Sequence, residues 1–407
     1  MEIIRITKNE PVYIYASRIF TALREVAEHN LLVVIRDGVI ESVQPVSEEE
    51  LAYLKLSQAN LHYLGPDCTL MPALIDAHIH LALCCRNGSF PEADLTAEEG
   101  MQSRITAVCD QLLQAGIGLV RDGGDRQAFN LQARQLAAAS PQIGLRVVAT
   151  GEALRRHGGY GSFLGRGYRS SAEFNSFLAQ AVHSGVDQLK VVLSGMISFS
   201  EYGVVKGPLL LASDLALIVE TARRNNLKIM AHASSAEAVD LAVTAGVDSV
   251  EHGYYIRKET LQKMANQQIA WVPTIIPVTA QLSKPQLNNY TPAECAVIRR
   301  AYGEQLEKLS HAFEYGVPVG IGTDAGAVGV RHGDSLISEM ELYSEVKVQP
   351  SAIIRAATAV NAKILGVEKE AGTIEPGKKP HLLAVWGDPL ADLAALRQIN
   401  KHFVPAF

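Results

Sequence analysis

The stretch Leu74-Ile-Asp-Ala-His-Ile-His80 sets two imidazoles two residues apart at the end of an apolar run. Successive side chains on a β-strand point to opposite faces, so His78 and His80 would project together. Paired imidazoles at a strand end suit a divalent metal, although two histidines also fall two apart by chance. Other polar residues close apolar runs in the same way. Lys190 lies within Leu189-Lys-Val-Val-Leu-Ser-Gly195, His232 within Ile229-Met-Ala-His-Ala233, His252 within Val250-Glu-His-Gly253 and Asp324 within Gly320-Ile-Gly-Thr-Asp324. Singly, each has an ordinary structural reading: a satisfied histidine, a lysine paired with a carboxylate, an aspartate capping the next helix. Jointly, four histidines, a lysine and an aspartate closing five runs point to one site.

The elements that must carry these residues alternate. Eight apolar runs follow one another: Leu74–His80, Gly116–Asp122, Leu145–Gly151, Leu189–Gly195, Leu227–Ala233, Val247–Gly253, Ile269–Thr274 and Val317–Asp324. Most are continuously apolar, as strands covered on both faces by crossover helices must be. The stretches between them carry helix signals. Ser170-Ser-Ala-Glu173 and Ser234-Ser-Ala-Glu237 are capping-box patterns, and Gly185 and Gly246 are the matching stops. Leu215, Ile218, Val219 and Ala222 form a one-face helical stripe. Eight strands alternating with helices predict a (β/α)8 barrel, whose chemistry sits at the carboxyl ends of its strands. A doubly wound open sheet would use the same local patterns, but no G-x-G-x-x-G follows any strand.

Residues 1 to 70 read as short strands without helical periodicity, with Asp37-Gly38 as a hairpin turn. The tail from 371 to 407 is strand-like again in His381-Leu-Leu-Ala-Val-Trp386 and too short to stand alone. The two ends are expected to form one small β domain beside a barrel spanning 71 to 370.

Bulk properties exclude several classes. A net charge of −6 without any basic cluster gives no nucleic-acid or anionic-membrane partner. The five cysteines (Cys68, Cys84, Cys85, Cys109 and Cys295) are odd in number and lack a C-x-x-C pair, which argues for a reducing compartment. No signal peptide and no apolar run near the ~20 residues of a membrane span is seen, so the expected location is the cytoplasm.

The residues Ile75-Asp-Ala-His-Ile-His80, Lys190, His232, His252 and Asp324 resemble the metal-site set of the amidohydrolase superfamily. Val120-Arg-Asp-Gly-Gly124, Gly322-Thr-Asp-Ala-Gly326 and Gly372-Thr-Ile-Glu-Pro-Gly-Lys378 fit as well, so the resemblance covers nearly the whole chain. It implies a metal-bearing (β/α)8 TIM barrel beside a β-sandwich built from both termini. It also implies a binuclear centre of two divalent ions, zinc foremost, in which Lys190 is carboxylated by carbon dioxide and its carbamate bridges the metals. His78, His80 and Asp324 would hold one ion, and His232 and His252 the other. The mononuclear deaminase branch has a glutamate three residues after the strand-five histidine, where this chain has Ser235.

The chemistry so implied is hydrolysis of an amide or related C–N bond by a metal-bridging hydroxide. Asp324 would act as general base and then general acid. Gly158-Gly-Tyr-Gly161, Asp324-Ala-Gly326 and Arg331-His-Gly333 most resemble the prolidase-like (Xaa-Pro dipeptidase) and arginine-carboxypeptidase-like branch. That branch implies a dipeptide or N-acyl amino acid substrate, whose carboxylate needs a cation or phenol. His157, Tyr160, Tyr254 and Arg331 are the candidates, with Arg155, Arg156, Arg166 and Tyr202 behind them. Two departures stand out: Gly159-Tyr160-Gly161 replaces a common Gly-His-Gly, and Pro380-His381-Leu382 a common Ala-Asp-Leu. A lactam, carbamate or organophosphate ester remains an alternative substrate, and a mononuclear deaminase or a silent scaffold an alternative function. Relatives imply a homo-oligomer.

Overall fold

The computed structural model describes residues 1–57, 60–83, 98–140, 143–205, 210–283 and 289–406, so Cys84 and Cys85 lie outside it. The chain opens with β1 (Glu2–Ile6), β2 (Val12–Ile19), β3 (Glu28–Arg36) and β4 (Val39–Pro45). Asp37 and Gly38, both at positive φ, turn β3 into β4, the backbone that an Asp-Gly pair supplies in a two-residue hairpin. Helix α1 (Glu48–Leu56) follows. It was not legible as a stripe because Leu54 alone is buried; it rests instead on the Ser47 cap and three first-turn glutamates.

β5 (Leu61–Pro72) completes this region together with the far end of the chain, β13 (Leu382–Trp386) and β14 (Ile399–Pro405). The strand order is β1-β14-β13-β5-β2-β3-β4. Both termini therefore meet as expected, but in one mixed seven-stranded sheet rather than two stacked sheets. The reason is visible in the pairing. β14 lies parallel to β1 while β13 lies antiparallel to β5, so the tail fills the gap between early strands instead of covering them. Ile14, Val33, Leu70, Leu382 and Phe403 belong to one buried cluster on this sheet.

Only Ala73 separates β5 from β6 (Leu74–Ile79), so the metal-motif strand continues directly out of the terminal sheet. β6 pairs in parallel with β7 (Ile117–Asp122), and β7 with β8 (Arg146–Ala149). A second parallel sheet holds β9 (Gln188–Val192), β10 (Lys228–Ala233), β11 (Ser249–His252) and β12 (Ala270–Val272). Seven of the eight expected runs are strands. The eighth, Val317–Asp324, is not a regular strand, and no continuous closed sheet is formed among the described residues. It nevertheless bonds to both neighbours: Trp271 N donates to Pro318 O at 3.0 Å and Asp324 N donates to His78 O at 2.7 Å. Pro318 has no N–H to give, and Gly320 and Gly322 have no side chain to pack. A Cβ on Gly322 would stand 2.9 Å from His78 N, so close approach to β6 requires glycine there. The Asn361 side chain substitutes for part of the ladder, donating to Ile75 O and Ile321 O at 2.6 and 2.7 Å.

Helices pack between the strands as their sequence signals predict. Helix α2 (Ser171–His183) is capped by Ser170. The α3 (Ala212–Arg224) stripe Leu215, Ile218, Val219 and Ala222 is buried; full burial of the larger three is worth about 1.5–3 kcal/mol each. Helix α4 (Ala236–Ala245) is capped by Ser235, one residue later than the capping-box reading, because Ser234 is buried with its N–H on Ser194 Oγ. Cys68, Cys109 and Cys295 are buried free thiols. No described helix is long and apolar enough to cross a membrane.

Candidate metal centre

The carboxyl end of β6 is fixed from below by Asp76. This buried carboxylate accepts from His78 N at 3.2 Å, Thr323 N at 3.0 Å and Thr323 Oγ1 at 2.7 Å, tying β6 to the 317–325 segment. Burial pushes its pKa up to about 7 against those hydrogen bonds. His78 and His80 then project together, as period two requires. Asp324 Oδ1 lies 3.6 Å from His78 Nε2 and 3.3 Å from His80 Nε2, and ligand atoms of the three residues fall within 4.8 Å of one another.

Each imidazole is oriented by a partner. His80 Nδ1 donates to Gly124 O at 2.8 Å, and His78 Nδ1 lies 2.9 Å from Glu251 Oε2. Carbonyl and carboxylate oxygens only accept, so both Nδ1 atoms carry a proton and both Nε2 atoms are turned to Asp324. Burial lowers the His80 pKa, but the hydrogen bond and charge of Asp324 more than offset it and raise it above the usual value, so a cation between them would displace a proton from this ring. His252 Nδ1 sits 2.6 Å from Thr274 Oγ1, and His232 Nε2 lies 3.4 Å from Gly195 O. The four rings form a chain: His78 and His80 are 5.4 Å apart, His78 and His252 5.1 Å, and His252 and His232 4.5 Å. Burial, then Lys190, drives the His232 pKa down to about 3; burial and neighbouring cations hold His78 and His252 well below the usual range. Neutral imidazole is the metal-binding form. Lys190, fully buried in β9, is pushed down to about 8 by burial despite the pull of Glu251 and Asp324.

Two features of the backbone fit a cation here. Three non-glycine residues at this rim, His252, Thr274 and Asp324, take left-handed φ of 69°, 46° and 56°, a costly conformation retained where surroundings impose it. Gly123 leaves open the space beside the first pair. A Cβ there would stand 2.8 Å from His80 Cε1 and 3.1 Å from Nε2 of both His78 and His80. Converging imidazole nitrogens, a carboxylate and a glycine-kept gap form a donor set suited to a hard or borderline divalent ion.

The substrate candidates separate. Tyr160 stacks on His232 at 5.1 Å, and buried Tyr254 stacks on His252 at 5.8 Å. Burial and the Asp324 charge raise both phenol pKa values, so both hydroxyls keep their protons. His157 is exposed, with Nε2 at 2.7 Å from the Arg169 guanidinium, and exposed Arg331 pairs with Asp334 at 3.2 Å. Arg155 is buried and spends its guanidinium on carbonyls, donating to Tyr160 O at 2.7 Å, Gly165 O at 3.1 Å and Gly159 O. Arg166 pairs with Glu152 and Tyr202 bonds Glu304. Arg156 is half-buried, its backbone bridged to Tyr168.

Sequence reasoning passed over Glu251, Arg121 and Thr274, although a signal existed for the first two. Arg121 ends the apolar run Ile117-Gly-Leu-Val120 and Glu251 stands between Val250 and the candidate ligand His252, and buried charges come paired. Arg121 Nη2 meets Glu251 Oε1 at 2.8 Å, both fully buried.

The chain is 31% identical over 119 residues to an uncharacterised protein of Mycobacterium tuberculosis, covering 29% of this chain. That match spans 32%, about a third, of the relative's length. It is 22% identical over 406 residues to the ochratoxinase of Aspergillus niger, covering 91% of this chain and 80% of the relative. The structure of a Xaa-Pro dipeptidase with methionine in its active site superposes with a TM-score of 0.82 at 22% identity, over 98% of this chain and 99% of that one, which shows a shared fold. The amidohydrolase family model matches residues 69–405. With that match running from the residues just before β6 to the last strand, the chain belongs to the amidohydrolase family.

Proposed function

We propose that this hydrolase is a binuclear metalloenzyme cleaving the C–N bond of a small amide, with dipeptides or N-acyl amino acids as its substrate class. The carrying observation is the trio His78, His80 and Asp324, with ligand atoms within 4.8 Å and both Nδ1 atoms engaged elsewhere. In this reading the parallel strands and the 317–325 segment form a (β/α)8 barrel over residues 71–370. The terminal sheet of 1–70 and 371–407 buttresses its first strand.

His78, His80 and Asp324 would hold one divalent ion, His232 and His252 a second, and Lys190, as its carbamate, both. Zinc suits these ligands. When bound, the metals supply Lewis acidity and an acidified water. The chain's own residues do the rest. A pKa near 8 leaves Lys190 a neutral fraction at pH 7, the form that can add carbon dioxide. Asp324, with its carboxylate partly open at the rim, takes the proton of the attacking water and returns it to the leaving nitrogen. The protonated phenols of Tyr160 and Tyr254, stacked over the second pair of imidazoles, donate to polar atoms of the substrate.

Metal analysis of the purified protein should find about two divalent ions per chain, the number a two-metal mechanism needs. Lys190→Ala should lose activity and metal together; full metal retention in that variant would overturn the carbamate bridge. A screen of dipeptides and N-acyl amino acids with the loaded enzyme should find C–N cleavage, and complete inertness would overturn the substrate class.

A further inference from the structure

We infer that Glu251 is a positioning residue that holds His78 in its metal-binding tautomer, and that strand β11, by supplying both Glu251 and His252, couples the two metal positions. The second half of this statement rests on the binuclear reading above.

The carboxylate of Glu251 is fully buried, and both oxygens are used. Oε2 faces His78 Nδ1 at 2.9 Å, while Oε1 accepts from Arg121 Nη2 at 2.8 Å and Ser249 Oγ at 2.5 Å. Arg121 Nε donates at 2.7 Å to Ala77 O, the carbonyl just before His78. Ring and backbone of the ligand are thus clamped by one ion pair. On a regular strand Glu251 and His252 would face opposite sides. Both reach the interior because His252 leaves the strand at φ 69°. Its carbonyl is held in the turned position by Trp271 Nε1 at 3.0 Å and Gln305 Nε2 at 3.2 Å. One strand therefore orients a ligand of the first ion and contributes a ligand of the second.

Glu251→Gln tests the donor logic. If the amide NH2 faces His78, it donates to Nδ1 and forces the proton onto Nε2, where the metal must bind. If it faces Arg121 instead, the carbonyl still accepts from Nδ1 but the amide opposes the Arg121 donor, which makes the first orientation the favoured one. Neither orientation preserves the present network. Chelator-competition titration with Co2+, followed by its visible absorption, should show affinity at the first site falling about 10- to 100-fold, with an altered spectrum. Binding of the second ion should weaken with it. Ser249→Ala, which leaves the Glu251–His78 contact in place, should keep near-wild-type affinity. That separates positioning from mere packing, and melting of each apo protein reports the fold.

Wild-type affinity and spectrum in Glu251→Gln, with wild type binding two ions, would overturn the inference and leave the binuclear reading standing. A wild type that binds one ion overturns the binuclear reading and the coupling, while the His78 tautomer clamp is then judged on that ion. Should Glu251→Gln fail to fold, Glu251→Asp keeps the charge but stops one methylene short of Nδ1. It should show the same loss, and unchanged affinity there would refute the clamp.

Discussion

Replacing Gly123 with alanine is the smallest perturbation that addresses the metal centre. The added Cβ would lie 2.8 Å from His80 Cε1, whereas carbon–carbon contact is comfortable from about 3.5 Å, so the ring must retreat by about 0.7 Å. It has little freedom to do so, since Nδ1 is bonded to Gly124 O at 2.8 Å and the side chain is buried. Metal–nitrogen bonds tolerate departures of only about 0.2 Å, and the methyl itself stands 3.1 Å from both Nε2 atoms. We expect metal affinity to fall about 10- to 100-fold, or about 1.4–2.7 kcal/mol, and kcat/KM to fall about 100-fold. Gly123 is not in the left-handed region, so alanine costs no backbone strain, and its lower unfolded-state entropy offsets part of the clash. The apo variant should therefore melt close to wild type. Zinc competition against a chromophoric chelator, with thermal melts of the same samples, reads both quantities. Wild-type zinc affinity in Gly123→Ala would refute the placement of the ion between His78 and His80.

Arg155→Met removes the donors that grip Gly159 O, Tyr160 O and Gly165 O, so Tyr160 should lose its registry over His232. Metal content should stay at the wild-type level while kcat/KM drops about 10- to 100-fold; parallel loss of metal would show that Arg155 serves the centre instead. His381 provides a pH prediction. Burial first, then His402, Lys379 and Arg146, push its pKa down to about 3, against 6.5 in the unfolded chain. Between those values the unfolded state binds more protons, so stability falls as pH drops through 6.5 towards 3, by about 2 kcal/mol at pH 5. His381→Gln should lose less stability than wild type between pH 7 and 5 in urea titrations; equal losses would contradict a buried neutral His381.

The fold and the site were legible to different depths. Continuous apolar runs located seven parallel strands, because burial on both faces writes itself into every residue of a strand. The 317–324 run kept its apolar signal but lost regularity to Pro318, Gly320 and Gly322, whose effect depends on neighbours that the sequence does not order. The ligands at strand ends were legible because strand direction fixes where His78, His80 and His232 point. Residues beyond the strand ends were not. His157 and Arg155 sit two apart in one loop, yet the first faces solvent and the second is swallowed by a cage of carbonyls. Glu251 escaped notice because periodicity alone assigns neighbours opposite faces, so reading His252 as inward put Glu251 outside; in the structure His252 turns in at a left-handed φ.

The strand order of the terminal sheet also bears on how the chain is made. β1 has β14 as its neighbour, and Glu2 pairs with Lys401, 399 positions later. At about 5–20 residues per second, β1 must wait roughly 20–80 s during synthesis for the strand that completes it. β2, β3, β4 and β5 can pair as they emerge, but β5 keeps one edge open until β13 arrives. The strand bearing His78 is thus anchored to a half-built sheet for the whole of translation. A nascent chain halted before residue 382 carries an exposed β5 edge, open to pairing with another chain.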